Sequence, residues 1–239
     1  MADPVNLTLV GATGLVGRAV MEEMVGRPDF RFTAIARREV PLPKGARMEM
    51  RLAPVDLWDD VLREIRPEIV VCALGTTWRK AGRDEEAFRA VDEALVLKVA
   101  ATAKEAGARH FITVSSAGAN SAGRNFYLRV KGETENALGR MQFRRLDILQ
   151  PGMLLGTRQG DLRLAEGLTR LASLLVDLAL RGSWRKFHSI SAQRLAQAIV
   201  ALAREKAAGR FFHDHDSLMR AAHRLEVKDR QEQIGRKAA

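Results

Sequence analysis

Apolar and polar positions follow two rhythms along the chain. Short β-branched runs alternate with longer stretches whose apolar residues recur three or four apart, the spacings of buried strands and of amphipathic helices. Val5 to Gly17 (Val-Asn-Leu-Thr-Leu-Val-Gly-Ala-Thr-Gly-Leu-Val-Gly) passes from an apolar run into three glycines spaced three apart, which reads as strand, tight turn and helix. Arg31 to Ala36 predicts a second strand and Met48 to Val55 a third. Leu57 to Ile65 suits a short helix stopped by Pro67, because proline cannot continue a helix. Glu68 to Leu74 is nearly continuous in apolar residues, as a strand covered on both faces must be, which makes Cys72 a core residue.

The same alternation continues. Asp84 to about Ala106 predicts a long crossover helix with Phe88, Val91, Leu95 and Val99 on its buried face. His110 to Ser116 is a strand ending in two hydroxyls, Phe126 to about Gly139 a helix, and Arg144 to Leu149 a strand followed by Pro151-Gly152. Strand and helix thus alternate at least five times, which predicts an α/β fold with a doubly wound parallel sheet and right-handed crossovers. Beyond Gly152 the pattern is less regular. Leu162 to Leu180 and Ser191 to Lys206 read as helices and Arg224 to Ala239 as a polar, fraying tail. The expectation is one domain over residues 1–239, in which 152–239 forms a small C-terminal lobe that acts as a lid or substrate lobe.

The glycines give the first turn its chemistry. Gly11 lets the chain turn out of the strand, Gly14 lets backbone approach a pyrophosphate, and Gly17 lets the helix pack on the strand it has just left. The helix start aims free N–H groups at the phosphates of a dinucleotide. The second strand ends in Arg37 and Arg38 with no carboxylate before Glu39. An arginine there pairs with a 2′-phosphate, so NADP(H) is expected over NAD(H).

Tyr127 and Lys131 stand four apart on a helix and therefore share a face. A free phenol has a pKa near 10, and a neighbouring ammonium brings its phenolate towards the working range. A serine at the end of the preceding strand would hold a substrate carbonyl within reach of that phenol. Strand alternation sends Ser115 and Ser116 to opposite faces, and Ser116 is the favoured choice with Ser115 in reserve.

Composition trims the alternatives. The net charge of +10 invites a polyanionic partner, but the arginines are scattered and aromatic residues are only 5% of the chain, so no base-stacking platform is evident and no nucleic acid is expected. A single cysteine excludes an internal disulfide and fits a reducing compartment. No signal peptide and no membrane span are visible, and the expected location is the cytoplasm. His213-Asp-His-Asp216 has spacing adequate for metal ligands on a strand, but without a cysteine nearby no metal is expected. His188 lies near Ser189 and Ser191, but the chain has no Gly-x-Ser-x-Gly elbow.

These motifs together resemble the short-chain dehydrogenase/reductase superfamily: Gly11-Ala-Thr-Gly-Leu-Val-Gly17, Tyr127-x-x-x-Lys131 and the strand-end serines. More narrowly, Cys72-Ala-Leu-Gly-Thr-Thr77, Lys80-Ala-Gly82, Val91-Asp92, Ser115-Ser-Ala-Gly-Ala119, Asn125-Phe-Tyr-Leu-Arg-Val-Lys-Gly-Glu133 and Gln150-Pro-Gly152 resemble its atypical, NADPH-binding branch that includes the Tat-interacting protein. The resemblance covers roughly residues 5–165. It implies a Rossmann fold and a cofactor touching Gly11, Thr13, Gly14, Leu15, Val16, Gly17, Arg37 and Arg38. It further implies contacts from Leu74, Gly75, Thr76, Tyr127 and Lys131, and from Pro151, Met153, Leu154 and Arg158 in the loop after the last strand. The implied activity is reduction of a small carbonyl compound with Tyr127 as proton donor. The alternative is an NADP(H)-binding regulatory protein without turnover. A homodimer or a protein partner held by Leu162 to Leu180 fits either. The chain departs from the resemblance in carrying Asp92 where many extended relatives have asparagine, and Gln150 where relatives often have arginine.

Overall fold

The computed structural model describes residues 3–156 and 182–238. Its centre is a parallel sheet built from β1 (Val5–Val10), β2 (Phe30–Ala36), β3 (Glu49–Leu52), β4 (Ile69–Cys72), β5 (His110–Val114) and β6 (Arg145–Leu149), with a seventh strand, Gly209–His213, beside β6. The spatial order is β3-β2-β1-β4-β5-β6 and then that last strand, with Leu9 facing Ala34 on one side and Val71 on the other. The chain winds one way from β1 to β3 and the other way from β4, so the strand order reverses between β1 and β4. A crevice opens at the carboxyl ends of strands at such a reversal. A short pair, β7 (Leu154–Leu155) with β8 (Ile190–Ser191), stands apart from the main sheet, and the strand Gly209–His213 is β9.

Helices cover both faces. On one, α1 (Leu15–Glu23), α6 (Ala192–Ala203) and α7 (His215–Ala238) place Val20, Leu195, Ile199 and Leu218 against Leu7, Leu9, Val71 and Ile112. On the other, α2 (Trp58–Ile65), α4 (Val96–Glu105) and α5 (Phe126–Arg140) place Leu62, Val99 and Leu138 against Val10, Ile35, Val70 and Phe111. Local chemistry sets the ends. Asn125 accepts the Leu128 amide at the start of α5 and Ser191 the Arg194 amide at the start of α6. Arg66 turns left-handed (φ +51°) just before Pro67. No helix among the described residues is long and apolar enough to cross a membrane.

Four features differ from the sequence reading. The long crossover helix is not uniform: α3 (Glu85–Arg89) widens into a π-helical segment, Ala90–Leu95, before α4. Along this stretch Phe88, Asp92, Val96 and Val99 are buried, whereas Val91 and Leu95, also expected on the buried face, are half-buried, with Leu95 packed against the core. The third strand is only Glu49–Leu52. β9 was not foreseen, since as an edge strand it buries little and its apolar pattern is short. Residues 224–238 continue α7, which buries Leu218, Ala221, Ala222 and Leu225. The helix expected over Leu162 to Leu180 and the cofactor contact expected from Arg158 lie outside the described residues.

β9 is tied to the sheet by charge. The Asp147 carboxylate, fully buried on β6, is 2.6 Å from His110 Nε2, 2.6 Å from His213 Nε2 and 2.6 Å from Arg145 Nε. The Arg145 guanidinium lies over the Phe211 ring at 4.3 Å from its centre. The two imidazoles of the His213-Asp-His-Asp216 segment part company here: His213 turns to Asp147, whereas the His215 ring meets that of His188 edge-on at 5.3 Å. Burial pushes the Asp147 carboxyl up, but the hydrogen bonds from His110, His213 and Arg145 outweigh it and hold the group well below the usual carboxylate range. A depressed carboxyl stabilises the fold above its unfolded pKa, about 4, and loses that contribution as pH falls. Asp147→Asn is therefore expected to cost about 3 kcal/mol in urea unfolding at neutral pH, the scale of removing one partner from a buried ion pair. Below about pH 4 the wild-type stability should fall more steeply than that of the variant.

Candidate cofactor and catalytic site

The glycine turn sits where the strand order reverses. Gly11 has φ +98°, and a Cβ there would lie 2.7 Å from the Ala73 carbonyl at the end of β4. A Cβ at Gly17 would run into the Gly11 carbonyl oxygen, so α1 packs on the turn with no room for a side chain. Gly14 precedes α1 without any side-chain cap and is exposed, leaving the first amides of the helix open to an anion. These three constraints are the ones a pyrophosphate cradle requires.

Two connected depressions flank the turn. A recess of about 120 Å³ is walled by Ile35, Trp58, Val91 and Leu95 beside Gly11 and Arg37, an apolar slot of the kind that takes an adenine ring. A larger cavity of about 580 Å³ runs from Thr13, Gly14, Leu15 and Val16 to Tyr127 and Lys131. Leu74, Gly75, Thr76 and Leu154 form parts of its wall, and Arg38 and Arg18 stand at its rim. Among the expected contacts, Gly17 is instead buried in the packing of α1, Pro151 is buried with its carbonyl accepting the Ala117 amide at 2.8 Å, and Met153 is exposed away from the cavity. A nicotinamide dinucleotide fits this pair of depressions: Gly11 to Val16 are the residues that would hold its phosphates, and the cavity is the space that would take its nicotinamide end.

The inner end of the cavity is organised by one buried ion pair. Lys131 Nζ is 2.7 Å from Asp92 Oδ1, with both side chains nearly inaccessible. The other carboxylate oxygen of Asp92 accepts the Thr76 amide at 2.7 Å, and Thr134 on the next turn of α5 donates to the Asp92 carbonyl. Burial pushes the Lys131 ammonium down, but Asp92 and the Tyr127 phenol outweigh it and hold its pKa above the ordinary value, so the charge persists. Phe88 rests against the Tyr127 ring at 5.5 Å and against Phe126 at 5.8 Å, while Trp78 packs on Phe126 at 5.2 Å. Cys72, in the core beneath, has its thiol pushed up to about 11 by burial.

Of the two strand-end hydroxyls, Ser115 lines the cavity and Ser116 does not. The Ser116 hydroxyl is 3.4 Å from the Ala117 carbonyl. β5 ends at Val114, so the strict alternation that favoured Ser116 no longer holds at these positions. The sequence reading also missed that Asp92 is the partner of Lys131, that Trp78 and Lys80 enter the cavity wall, and that Glu135 meets both Ser115 and Gln150. Glu135 had a signal: Tyr127, Lys131 and Glu135 are spaced four apart on one helix face.

The profile of the NAD(P)H-binding family matches residues 11–206. Protein HTATIP2 of Rattus norvegicus is 38% identical over 171 residues, 69% of this chain and 69% of its own. "Protein fmp52, mitochondrial" of Emericella nidulans is 31% identical over 216 residues, 85% of this chain and 91% of that one. Among solved structures, MoeE5 in complex with UDP-glucuronic acid and NAD superposes with a TM-score of 0.65 at 14% identity, covering 87% of this chain and 75% of that one. UDP-N-acetylglucosamine 4-epimerase from Bacillus cereus gives 0.63 at 17% identity, over 88% and 79%. These two share the Rossmann fold with it. With the glycine turn, the dinucleotide-shaped depressions and these relatives agreeing, the chain belongs to the NAD(P)H-binding family, among its atypical short-chain dehydrogenase/reductase-like members.

Proposed function

We propose that this protein is an NADP(H)-dependent oxidoreductase of the short-chain dehydrogenase/reductase type that reduces a small carbonyl compound. The observation that carries the reading is the meeting of Tyr127 and the buried Lys131 in the same cavity as the glycine turn. A bound dihydronicotinamide would supply the hydride. Tyr127 donates the proton to the carbonyl oxygen, and Lys131, fixed by Asp92, keeps a positive charge one helical turn away that favours the phenolate left behind. Ser115, on the cavity wall, orients the carbonyl oxygen. Trp78 at the outer wall keeps water from the reacting end, and the apolar aromatic packing around Phe88 fixes the phenol ring.

The preference for NADP(H) rests on Arg38 at the cavity rim and Arg37 at the recess, with no carboxylate at the end of β2 to meet an unphosphorylated ribose. A small-molecule substrate is preferred over nucleic acid because the basic residues in the cavity wall serve the phosphates. The non-catalytic alternative shares the cofactor site and differs in needing no phenol; the segment from Leu162 to Leu180 that would hold its partner lies outside the described residues. The cytoplasmic location belongs to the same proposal, whereas the fungal relative is named a mitochondrial protein; cell fractionation with antibody detection separates the two.

Two measurements test this reading. Against a panel of aldehydes and ketones, Tyr127→Phe should lower kcat for NADPH oxidation by about 100-fold or more, the share of a general acid, while NADPH affinity stays within about twofold. Equal rates in variant and wild type would remove the assigned role. Arg38→Ala should weaken NADPH binding by about tenfold, the scale of one charge-assisted contact, and leave NADH binding unchanged in fluorescence titration.

A further inference from the structure

The hydroxyl that faces the cavity is not free. Ser115 donates to the Glu135 carboxylate, and both carboxylate oxygens of Glu135 accept from Gln150 Nε2, at 3.0 and 3.1 Å. Ser115 and Glu135 are both buried. A serine hydroxyl has one proton to give. While Glu135 is ionised it can only accept, so it takes that proton and Ser115 has none to offer a substrate carbonyl. A protonated Glu135 can instead donate to the Ser115 oxygen, which turns the Ser115 proton towards the cavity.

We propose that Glu135 is the positioning residue for the substrate carbonyl, acting through Ser115: its neutral form releases the Ser115 proton to the carbonyl oxygen, and its ionised form withholds it. This rests on the carbonyl-reductase reading above and adds to it a protonation requirement that the Tyr127 and Lys131 pair does not contain.

The surroundings favour the neutral form more than an exposed carboxylate would. Burial pushes the Glu135 carboxyl above the usual range, and hydrogen bonds from Ser115 and Gln150 and the charge on Lys131 oppose that without cancelling it. Lys131, one turn earlier on α5, is the cation that faces Glu135, and its charge is shared with Asp92 from the π-helical segment. Tyr127 lies a further turn along the same helix face. From the end of β6 comes Gln150, a neutral amide, and from the end of β5 the Ser115 hydroxyl. Arg89 is engaged on the outer side of α5 by Glu93 and Glu133.

The test is the pH dependence of NADPH-driven reduction in the wild type, Glu135→Gln and Gln150→Arg, with NADPH affinity measured by fluorescence to show that each variant is folded. In the wild type the rate should fall about tenfold per pH unit as Glu135 ionises, levelling about a hundredfold lower, the cost of losing one donor to the carbonyl oxygen. Glu135→Gln, whose amide donates to Ser115 at every pH, should lose this limb. Gln150→Arg, which sets a cation against the carboxylate, should move the limb to lower pH. Infrared difference spectra of wild type against Glu135→Gln should show a carboxyl C=O stretch that vanishes over the same pH range. If the three profiles superimpose while the wild type turns over substrate, the gating role falls and the reductase reading stands. If the wild type oxidises NADPH with no carbonyl compound, the reductase reading falls, and the role of Glu135 with it.

Discussion

The contact between Lys131 and Asp92 binds three separate parts of the chain at one point. Lys131 comes from α5, Asp92 from the π-helical segment, and the Thr76 amide that completes the carboxylate comes from the loop after β4. Two charges withdrawn from water are costly to bury, and the attraction compensates only where the geometry is good and the remaining acceptors are used. Here one carboxylate oxygen takes the ammonium and the other a backbone amide. Because the arrangement is so constrained, Lys131 and Tyr127 cannot drift along the cavity, and the walls that Thr76 and α5 supply stay in register with the glycine turn.

The sheet brings that point to the cofactor crevice. β1 delivers the turn, β4 delivers Leu74 to Thr76, and β5 delivers Ser115, all at their carboxyl ends and all close to the reversal of strand order. The contact between Gly11 and Ala73 fixes the spacing of the first two, because neither backbone can move closer and no side chain intervenes. At the opposite side of the sheet Asp147 performs a comparable fastening among β5, β6 and β9, using two imidazoles and a guanidinium in place of apolar packing. The molecule thus uses buried charge twice, once to organise the cavity and once to hold its last strand.

The π-helical widening links these themes. Asp92, buried within this segment, presents its carboxylate to Lys131, while Val91 beside it is half-buried and lines the apolar recess. Departures of this kind occur where a local preference is overruled by a partner elsewhere in the chain.

Periodicity and glycine spacing alone determined the parallel α/β architecture, the position of the glycine turn, the core place of Cys72 and the shared face of Tyr127 and Lys131. These are properties of a few residues near one another in sequence, and local sterics and helix geometry suffice to express them. Which hydroxyl enters the cavity, which carboxylate meets Lys131, and that β9 closes the sheet were decided only by the tertiary structure. Ser115 is chosen by where β5 stops and where Glu135 arrives, Asp92 by the arrival of Lys131 from α5 and of the Thr76 amide, and β9 by the pairing of His213 with Asp147 across 66 residues of chain. Each depends on a contact between segments far apart in sequence, and no local pattern carries such a contact.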